Sequence, residues 1–125
     1  ISNFITQALN NEDITLYGDG NQTRSLCYVD DLISALIKLM NTPGVHQPVN
    51  LGNPSEISML ELANIVKSMT SSDANLIYKP LPEDDPKQRC PDISLARDLL
   101  GWNPATDLQS GLSKTIEYFR NQLSS

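Results

Sequence analysis

Residues 14–29 read ITLYGDGNQTRSLCYV, a short apolar run, a glycine turn and a second run without helical spacing. The first run, Ile14-Thr15-Leu16-Tyr17, has the β-branched and aromatic residues that favour a strand. Gly18-Asp19-Gly20 predicts a turn, which we expect to close a hairpin. Arg24 to Val29 is predicted to be extended. Two extended runs so close together indicate a fold that contains a sheet.

Amphipathic helices alternate with short strands along the rest of the chain. Ser58-Met59-Leu60-Glu61 predicts a capping box, in which the serine and glutamate side chains accept from the first free backbone amides. Asp30-Asp31, Ser94 and Asp107 mark further helix starts, and Gly101 a helix end. Further strands are predicted at 49–52 and 76–79, and a first helix near residues 2–9. The order helix, strand, strand, helix, strand, helix, strand, helix, helix predicts a small mixed α/β fold, with residues 1–125 forming one domain.

Composition excludes several classes of function. The chain has 125 residues and a net charge of −6, and nucleic-acid binding needs a basic surface, so we expect no nucleic-acid partner. No apolar run approaches the ~20 residues that span a bilayer, so we expect no membrane association. Cys27, Cys90 and His46 do not form a zinc pattern, and two isolated cysteines suit a reducing compartment, so we expect a cytoplasmic protein without a metal.

The loop 84–93 reads DDPKQRCPDI and is too polar for a strand or a buried helix. A loop of this kind crosses the surface, where water satisfies its backbone. Arg89 stands between two prolines, which restrict the backbone around it. A guanidinium held in this way suits an anion gripped at a fixed angle.

Five segments resemble the extended short-chain dehydrogenase/reductase family of nucleotide-sugar enzymes, also known as the NAD-dependent epimerase/dehydratase family. They are residues 16–24, 49–54, 84–93, 99–104 and 111–120. Their order and spacing cover nearly the whole chain, and the loop 84–93 is most similar to the branch that decarboxylates UDP-glucuronate. The resemblance implies the small C-terminal, substrate-binding portion of such an enzyme, with the Rossmann half absent.

The family likeness of residues 15–24 implies a nucleotide site. In relatives an aromatic residue lies against the uracil base and an arginine after the glycine turn meets the diphosphate, so Tyr17 and Arg24 are implied to take these roles. Thr15 and Gln22 are implied to be further substrate contacts. Taken from the residues alone, Tyr17 is better explained as an ordinary strand-end aromatic, and Arg24 as a solvated surface arginine.

Arg89 and Asp92 match the Arg-x-x-Asp pattern of the family's C-terminal loop. The resemblance implies that Arg89 contacts an anion, in decarboxylases near the sugar carboxylate, and that Asp92 makes a polar contact near the nucleotide. Asp92 also suits the N-cap of the helix at Ser94, and both roles can hold at once. Cys90 departs from the basic residue of many relatives, which weakens the positive field there.

The reaction implied for the whole enzyme begins with oxidation by NAD at C4 of UDP-glucuronate. The resulting β-keto acid loses carbon dioxide, and the hydride returns to give UDP-xylose. The glycine pair lacks the third glycine of a dinucleotide fingerprint, and no tyrosine is followed four residues later by lysine, the family's proton-transfer pair. We therefore assign this chain no catalytic or cofactor-binding residue and expect it to be inactive alone. The family implies NAD and a homodimer for the full-length enzyme.

Other interpretations remain open at this point. A UDP-hexose 4-epimerase or a dTDP-glucose 4,6-dehydratase would share the fold and the hydride chemistry but would hold no sugar carboxylate. A free-standing, non-catalytic module that binds a nucleotide-sugar is a possibility from another class, and a structural α/β domain without a ligand is a third. The chain begins inside a helix without a preceding cap, which favours a piece of a longer enzyme.

Overall fold

The computed structural model describes residues 1–82 and 90–124. The elements follow the predicted order and confirm a mixed α/β fold. They are α1 (Ser2–Leu9), β1 (Ile14–Tyr17), β2 (Thr23–Ser25), α2 (Val29–Met40), β3 (Glu56–Ser58), α3 (Met59–Met69), β4 (Leu76–Lys79), α4 (Ser94–Leu100) and α5 (Leu108–Ser124).

The strands form two separate pairs. β1 and β4 are parallel, with Ile14 opposite Leu76 and Tyr17 opposite Lys79. β2 and β3 are antiparallel. The glycine turn therefore joins two sheets, and the predicted hairpin is wrong. The reason lies in the backbone at the end of the turn. There the Gly20 carbonyl accepts from the amide of Leu60 at 3.0 Å, which places the chain beside the start of α3.

The main core, cluster one, lies where α1, α3 and α5 pack on β1. Alternate β1 residues are buried, as the period of a strand requires. The buried members are Phe4, Ile5, Ala8, Ile14, Leu16, Leu62, Ala63, Val66, Ala74, Leu112 and Ile116. Helix α3 starts as predicted, because the Ser58 hydroxyl accepts from the amide of Glu61 at 3.1 Å.

A smaller core, cluster two, joins α2 to α4. Its buried members are Ala35, Ile93, Ala96 and Trp102. Gly101 ends α4 at φ 62°, which confirms the predicted glycine cap. Helix α2 is also tied to the segment before α5, because the largely buried Asp31 carboxylate accepts from the amide of Thr106 at 2.9 Å.

Two predicted strand positions need correction. Residues 49–52 are not a strand: Val49 and Leu51 pack on cluster two, and no ladder partner is paired with them in the part of the chain described. The strand between α2 and α3 is β3, and it pairs with β2. In the run Arg24 to Val29, the pairing ends at Ser25, and Tyr28 already forms the N-cap of α2.

Helix α5 begins where the sequence predicts, since the Asp107 carboxylate accepts from the amide of Ser110 at 3.0 Å. Within residues 1–82 and 90–124, no helix combines the length and the apolar character needed to cross a membrane.

Candidate functional site

A cleft of about 290 Å³ opens between helix α1 and the carboxyl ends of β1 and β4. It is lined by Ile1, Asn3, Phe4, Gln7, Thr15, Leu16, Tyr17, Gln22, Met59 and Lys79. Its polar lining consists of amides, one hydroxyl, one phenol and one ammonium group. Such a lining offers both donors and acceptors beside an aromatic face.

Strand alternation directs Thr15 and Tyr17 to this cleft. Ile14 and Leu16 enter cluster one, so the intervening side chains face the other way. Gln7 on α1 is tied to the strand twice: its Nε2 donates to the Thr15 hydroxyl at 3.3 Å, and its Oε1 accepts from the Thr15 amide at 3.1 Å. These bonds hold the α1 wall of the cleft against β1.

Gln22 is almost fully buried, with 8% of its surface exposed, and it belongs to the floor of the cleft. Its Nε2 donates to the Tyr17 carbonyl at 2.9 Å. The bond fixes the backbone on which the Tyr17 ring is mounted. Tyr17 as a residue remains 45% exposed, and Lys79 is its register partner on β4. An exposed aromatic face beside an ammonium group suits a flat ring attached to a negatively charged group.

Arg24 lies on β2 and is not among the residues that line the cleft. Its Nη1 donates to the Thr23 carbonyl at 2.7 Å, so the guanidinium folds back along its own strand. Arg89, the other arginine predicted to bind an anion, lies outside the described residues.

Asp92 precedes helix α4 and is exposed. Its Oδ1 accepts from the amide of Ser94 at 3.0 Å and from the Ser94 hydroxyl. The hydroxyl bond, followed by the amide bond, lowers the pKa of the Asp92 carboxyl below its usual range. The formal N-cap is Ile93, so the predicted capping residue is shifted by one position. Asp92 nevertheless satisfies an amide of the first turn.

The cleft thus brings together Thr15, Tyr17 and Gln22 of the predicted set. Sequence reasoning missed Asn3, Gln7 and Lys79. The spacing of Asn3 and Gln7, four residues apart on a helix that buries Phe4, Ile5 and Ala8, was a signal for a polar face. Lys79 lies in the cleft because it is opposite Tyr17 in the β1–β4 pair, and this pairing joins strands that are distant in the sequence.

The glycine turn at 18–20 does not fit a dinucleotide. A Cβ added to Gly20 would stand 3.1 Å from the Leu60 Cβ, so α3 fills the space over the glycine turn. The turn also leads into a strand, whereas a dinucleotide site uses a turn that opens a helix. The described residues also bring no three His, Cys, Asp or Glu side chains together in a way that could hold a metal ion.

Comparison with known proteins identifies relatives along the whole chain. A model of the NAD dependent epimerase/dehydratase family matches residues 1–52. UDP-glucuronic acid decarboxylase 1 of Danio rerio is 49% identical over 98% of this chain. UDP-glucuronic acid decarboxylase 2 of Arabidopsis thaliana is 47% identical over the same share. This chain spans 29% of the length of the first and 27% of the second.

Solved structures of nucleotide-sugar enzymes share the fold. A UDP-glucose 4-epimerase from Thermotoga maritima, with UDP-glucose, matches 96% of this chain at a TM-score of 0.91 and 32% identity. A UDP-glucuronic acid 4-epimerase from Bacillus cereus, in complex with UDP-glucuronic acid and NAD, matches 96% at a TM-score of 0.90 and 28% identity. This chain covers 38% and 39% of those chains. The resemblance predicted from the sequence, to part of an enzyme of this family, is confirmed.

Proposed function

We propose that this chain is the substrate-binding part of an NAD-dependent enzyme that decarboxylates UDP-glucuronate to UDP-xylose. The observation that carries the proposal is the 49% identity, over 98% of this chain, to the Danio rerio UDP-glucuronic acid decarboxylase. The solved epimerases, at 32% and 28% identity, are more distant in sequence although nearly identical in fold. Homologues of both kinds act on UDP-sugars, which agrees with a cleft built from amides around an aromatic ring.

In this proposal the cleft holds the nucleotide end of the substrate. The exposed face of Tyr17 stacks on the uracil ring, and the amides of Asn3 and Gln7 hydrogen-bond its polar edge. Thr15 and Gln22 keep these groups in place through the bonds described above. The Lys79 ammonium adds positive charge beside the ring, which favours the attached diphosphate.

Arg24, Arg89 and Asp92 are proposed to act further along the substrate. We assign Arg24 to the diphosphate, Arg89 to the sugar carboxylate and Asp92 to a polar contact near the nucleotide. A guanidinium pairs with carboxylate through two parallel hydrogen bonds, which would fix the sugar acid in one orientation. NAD, held by the rest of the enzyme, would supply hydride transfer at C4. The contribution of this chain is to position C4, an effect of proximity.

A UDP-glucuronic acid 4-epimerase is the second candidate, because the Bacillus cereus enzyme shares the fold and binds UDP-glucuronic acid. It would hold the same carboxylate, so substrate binding does not separate the two. The product does, since a decarboxylase releases carbon dioxide and an epimerase keeps every carbon atom. The greater identity to the decarboxylases favours the first candidate.

The test is an isothermal titration of the chain with UDP, UDP-glucuronate, UDP-glucose and dTDP-glucose. We expect UDP-glucuronate to bind more tightly than UDP-glucose. We expect Arg89→Ala to weaken UDP-glucuronate binding by roughly 10–100-fold, as for a lost hydrogen bond to a charged group. Arg120→Ala is the matched control, since Arg120 lies exposed on α5 and should leave both affinities unchanged.

A second pair of variants tests the cleft. Tyr17→Ala should weaken the binding of UDP by about 1–3 kcal/mol, because the stacking face is lost. Tyr118→Ala removes a tyrosine of similar exposure on α5 and should have no effect. Equal binding of acidic and neutral UDP-sugars would contradict the decarboxylase assignment. Equal effects of the two tyrosine variants would contradict the cleft as the nucleotide site.

A further inference from the structure

The end of the polar loop, residues 90–93, lies against the connection between α2 and β3. Ile93 is buried in cluster two, with 2% of its surface exposed. Val49 and Leu51 of the connection pack against the same cluster. The two segments therefore share an apolar base, which brings their neighbouring residues into contact.

Gly52 allows the two backbones to approach each other closely. The residue is buried, and a Cβ added to it would stand 3.0 Å from the Pro91 Cγ and 3.6 Å from the Pro91 Cβ. Carbon atoms in ordinary contact lie about 3.5–4.0 Å apart, so a side chain at position 52 would push the Pro91 ring away. Because that ring is closed onto the backbone, the backbone would move with it.

Cys90 is attached to the same connection by its thiol. Its Sγ donates to the Pro54 carbonyl at 3.1 Å. The connection is braced at this point, because the Asn53 Oδ1 accepts from the amide of Ser55 at 2.9 Å. A thiol is a weak donor, but together with the packing of Pro91 on Gly52 it fixes both residues that precede Asp92.

Asp92 therefore stands on a backbone that is held on both sides, by Pro91 before it and by Ile93 after it. Its carboxylate is exposed, and Oδ1 accepts from the Ser94 amide at 3.0 Å and from the Ser94 hydroxyl. Within residues 1–82 and 90–124, no group donates a hydrogen bond to Oδ2. One oxygen thus orients the carboxylate, and the other is available to accept from a ligand.

We propose that Gly52 and Cys90 are positioning residues that hold the Asp92 carboxylate in place for the substrate. This inference rests on the proposed function, in which Asp92 makes a polar contact near the nucleotide. The group that Oδ2 takes would be a hydroxyl or N–H donor, since an ionised carboxylate only accepts. A preorganised acceptor binds more tightly than a mobile one, because less conformational freedom is lost on binding.

Capping of α4 does not by itself explain this arrangement. A cap needs only the bond between Asp92 and the Ser94 amide, which joins residues two apart in the chain. The close approach of Gly52 to Pro91 and the thiol bond of Cys90 lie outside that local motif. They act on the backbone before Asp92, which a cap leaves unconstrained.

The first test is the pKa of the Asp92 carboxyl, measured by NMR titration of the chain. The Ser94 hydroxyl and then the Ser94 amide lower this pKa, and Arg97 adds a smaller effect in the same direction. If Asp92 moves away from Ser94, its pKa rises toward the usual value. We expect that rise in Gly52→Ala and, to a smaller extent, in Cys90→Ala. Cys90→Ser keeps a donor and should retain the low pKa.

The second test is the affinity of the same variants for UDP-glucuronate, measured by titration. Asp92→Asn should weaken binding by about 10–100-fold, as for a lost hydrogen bond to a charged group. We expect a loss of about 2–5-fold in Cys90→Ala and about 5-fold or more in Gly52→Ala, with Cys90→Ser restoring the affinity. In the Asp92→Asn background Cys90→Ala should have no further effect, because a positioning residue acts only through the group that it positions.

Gly44→Ala is the matched control for Gly52→Ala, because a Cβ added to Gly44 would meet no heavy atom within 4 Å. It should change neither the pKa of Asp92 nor the affinity. If Gly52→Ala does not fold, the two Cys90 variants carry the test, since Cys90 is exposed.

An unchanged pKa of Asp92 in Gly52→Ala and Cys90→Ala would overturn the proposal. So would a loss of affinity in Cys90→Ala that is equally large in the Asp92→Asn background, since the thiol would then act on another group. If Asp92→Asn binds as tightly as the unsubstituted chain while Tyr17→Ala binds more weakly, this inference fails and the proposed function stands. A chain that binds no UDP-sugar contradicts the proposed function, and the pKa of Asp92 in the variants then decides separately whether Gly52 and Cys90 position it.

Discussion

Gly20 is the residue at which the chain leaves the β1 side of the fold and meets α3. Its φ is +78°, a region that costs other residues about 1–2 kcal/mol. The position is also tight, since an added Cβ would stand 3.1 Å from the Leu60 Cβ. The positive φ and the close contact with Leu60 therefore both require glycine at this position. The energetic cost of each can be separated by comparison with a second glycine.

Gly44 supplies that comparison, with φ +83° and no heavy atom within 4 Å of an added Cβ. We expect Gly44→Ala to lower the free energy of unfolding by about 1–2 kcal/mol through backbone strain alone. Gly20→Ala should lower it by about 2–4 kcal/mol, because displacement of Leu60 adds the cost of overpacking. Urea denaturation of both variants measures the difference, and equal losses would show that the Leu60 contact has no effect.

Single residues were predictable where their effect is local. The Ser58 cap, the Gly101 cap and the Asp107 helix start depend on neighbours within four residues, and all three are confirmed. The predicted N-cap at Asp92 was one position too early, because Ile93 is the N-cap and the Asp92 carboxylate accepts from the Ser94 amide from outside the helix. Lys79 could not be found in this way, since only the pairing of β1 with β4 brings it beside Tyr17.

At the scale of the element, helix α3 combines a cap with a buried face. Its first turn has Ser58 as N-cap, and Leu62, Ala63 and Val66 lie in cluster one. The cap satisfies one of the amides that a helix start leaves without a partner. The start of α3 is also the place where the glycine turn and β2 attach, so fraying there would loosen more than the helix.

We expect Ser58→Ala to lower the free energy of unfolding by about 1 kcal/mol, the usual effect of losing a hydroxyl cap. Ser68→Ala is the control in the same helix, because Ser68 is exposed near its end and alanine is the better helix former. It should be neutral or slightly stabilising. Thermal unfolding followed by circular dichroism compares the two, and a Ser58→Ala variant as stable as Ser68→Ala would rule out an energetic role for the cap.

Strands were harder to predict than helices. Residues 49–52 have the composition of a strand, but composition does not show whether a neighbour is available to pair. Val49 and Leu51 pack against cluster two, whereas the strand that pairs with β2 is Glu56–Ser58. The helices carry their own hydrogen bonds and their own apolar period, and for this reason their positions agreed closely with the sequence.

At the scale of the whole molecule, the two clusters differ greatly in size. Among the described residues, cluster one has eleven buried members, which come from three helices (α1, α3 and α5), strand β1 and the connection at Ala74. Cluster two has four buried members. The alternation of helices and strands predicted the class of fold, but not which helices would share a core. That division is set by contacts between distant segments, such as Ala35 with the Ile93 to Trp102 region.

The single tryptophan of the chain, Trp102, is buried in cluster two and therefore reports on it separately. We expect the tryptophan fluorescence of the isolated chain to change at a lower urea concentration than its circular dichroism. The smaller cluster buries less apolar surface, and it would open first as a local unit. Coincident curves would instead indicate one cooperative transition.

The variant Leu62→Ala separates the clusters further. Leu62 is 1% exposed in cluster one, and its truncation should lower the stability of that cluster by about 2–5 kcal/mol. The midpoint seen by circular dichroism should therefore fall toward the fluorescence midpoint. If the two clusters are independent, the fluorescence midpoint stays in place until cluster one becomes the weaker of the two. A shift of both midpoints by equal amounts would show that α2 and α4 depend on cluster one, with the Asp31 bond to Thr106 as a link between them.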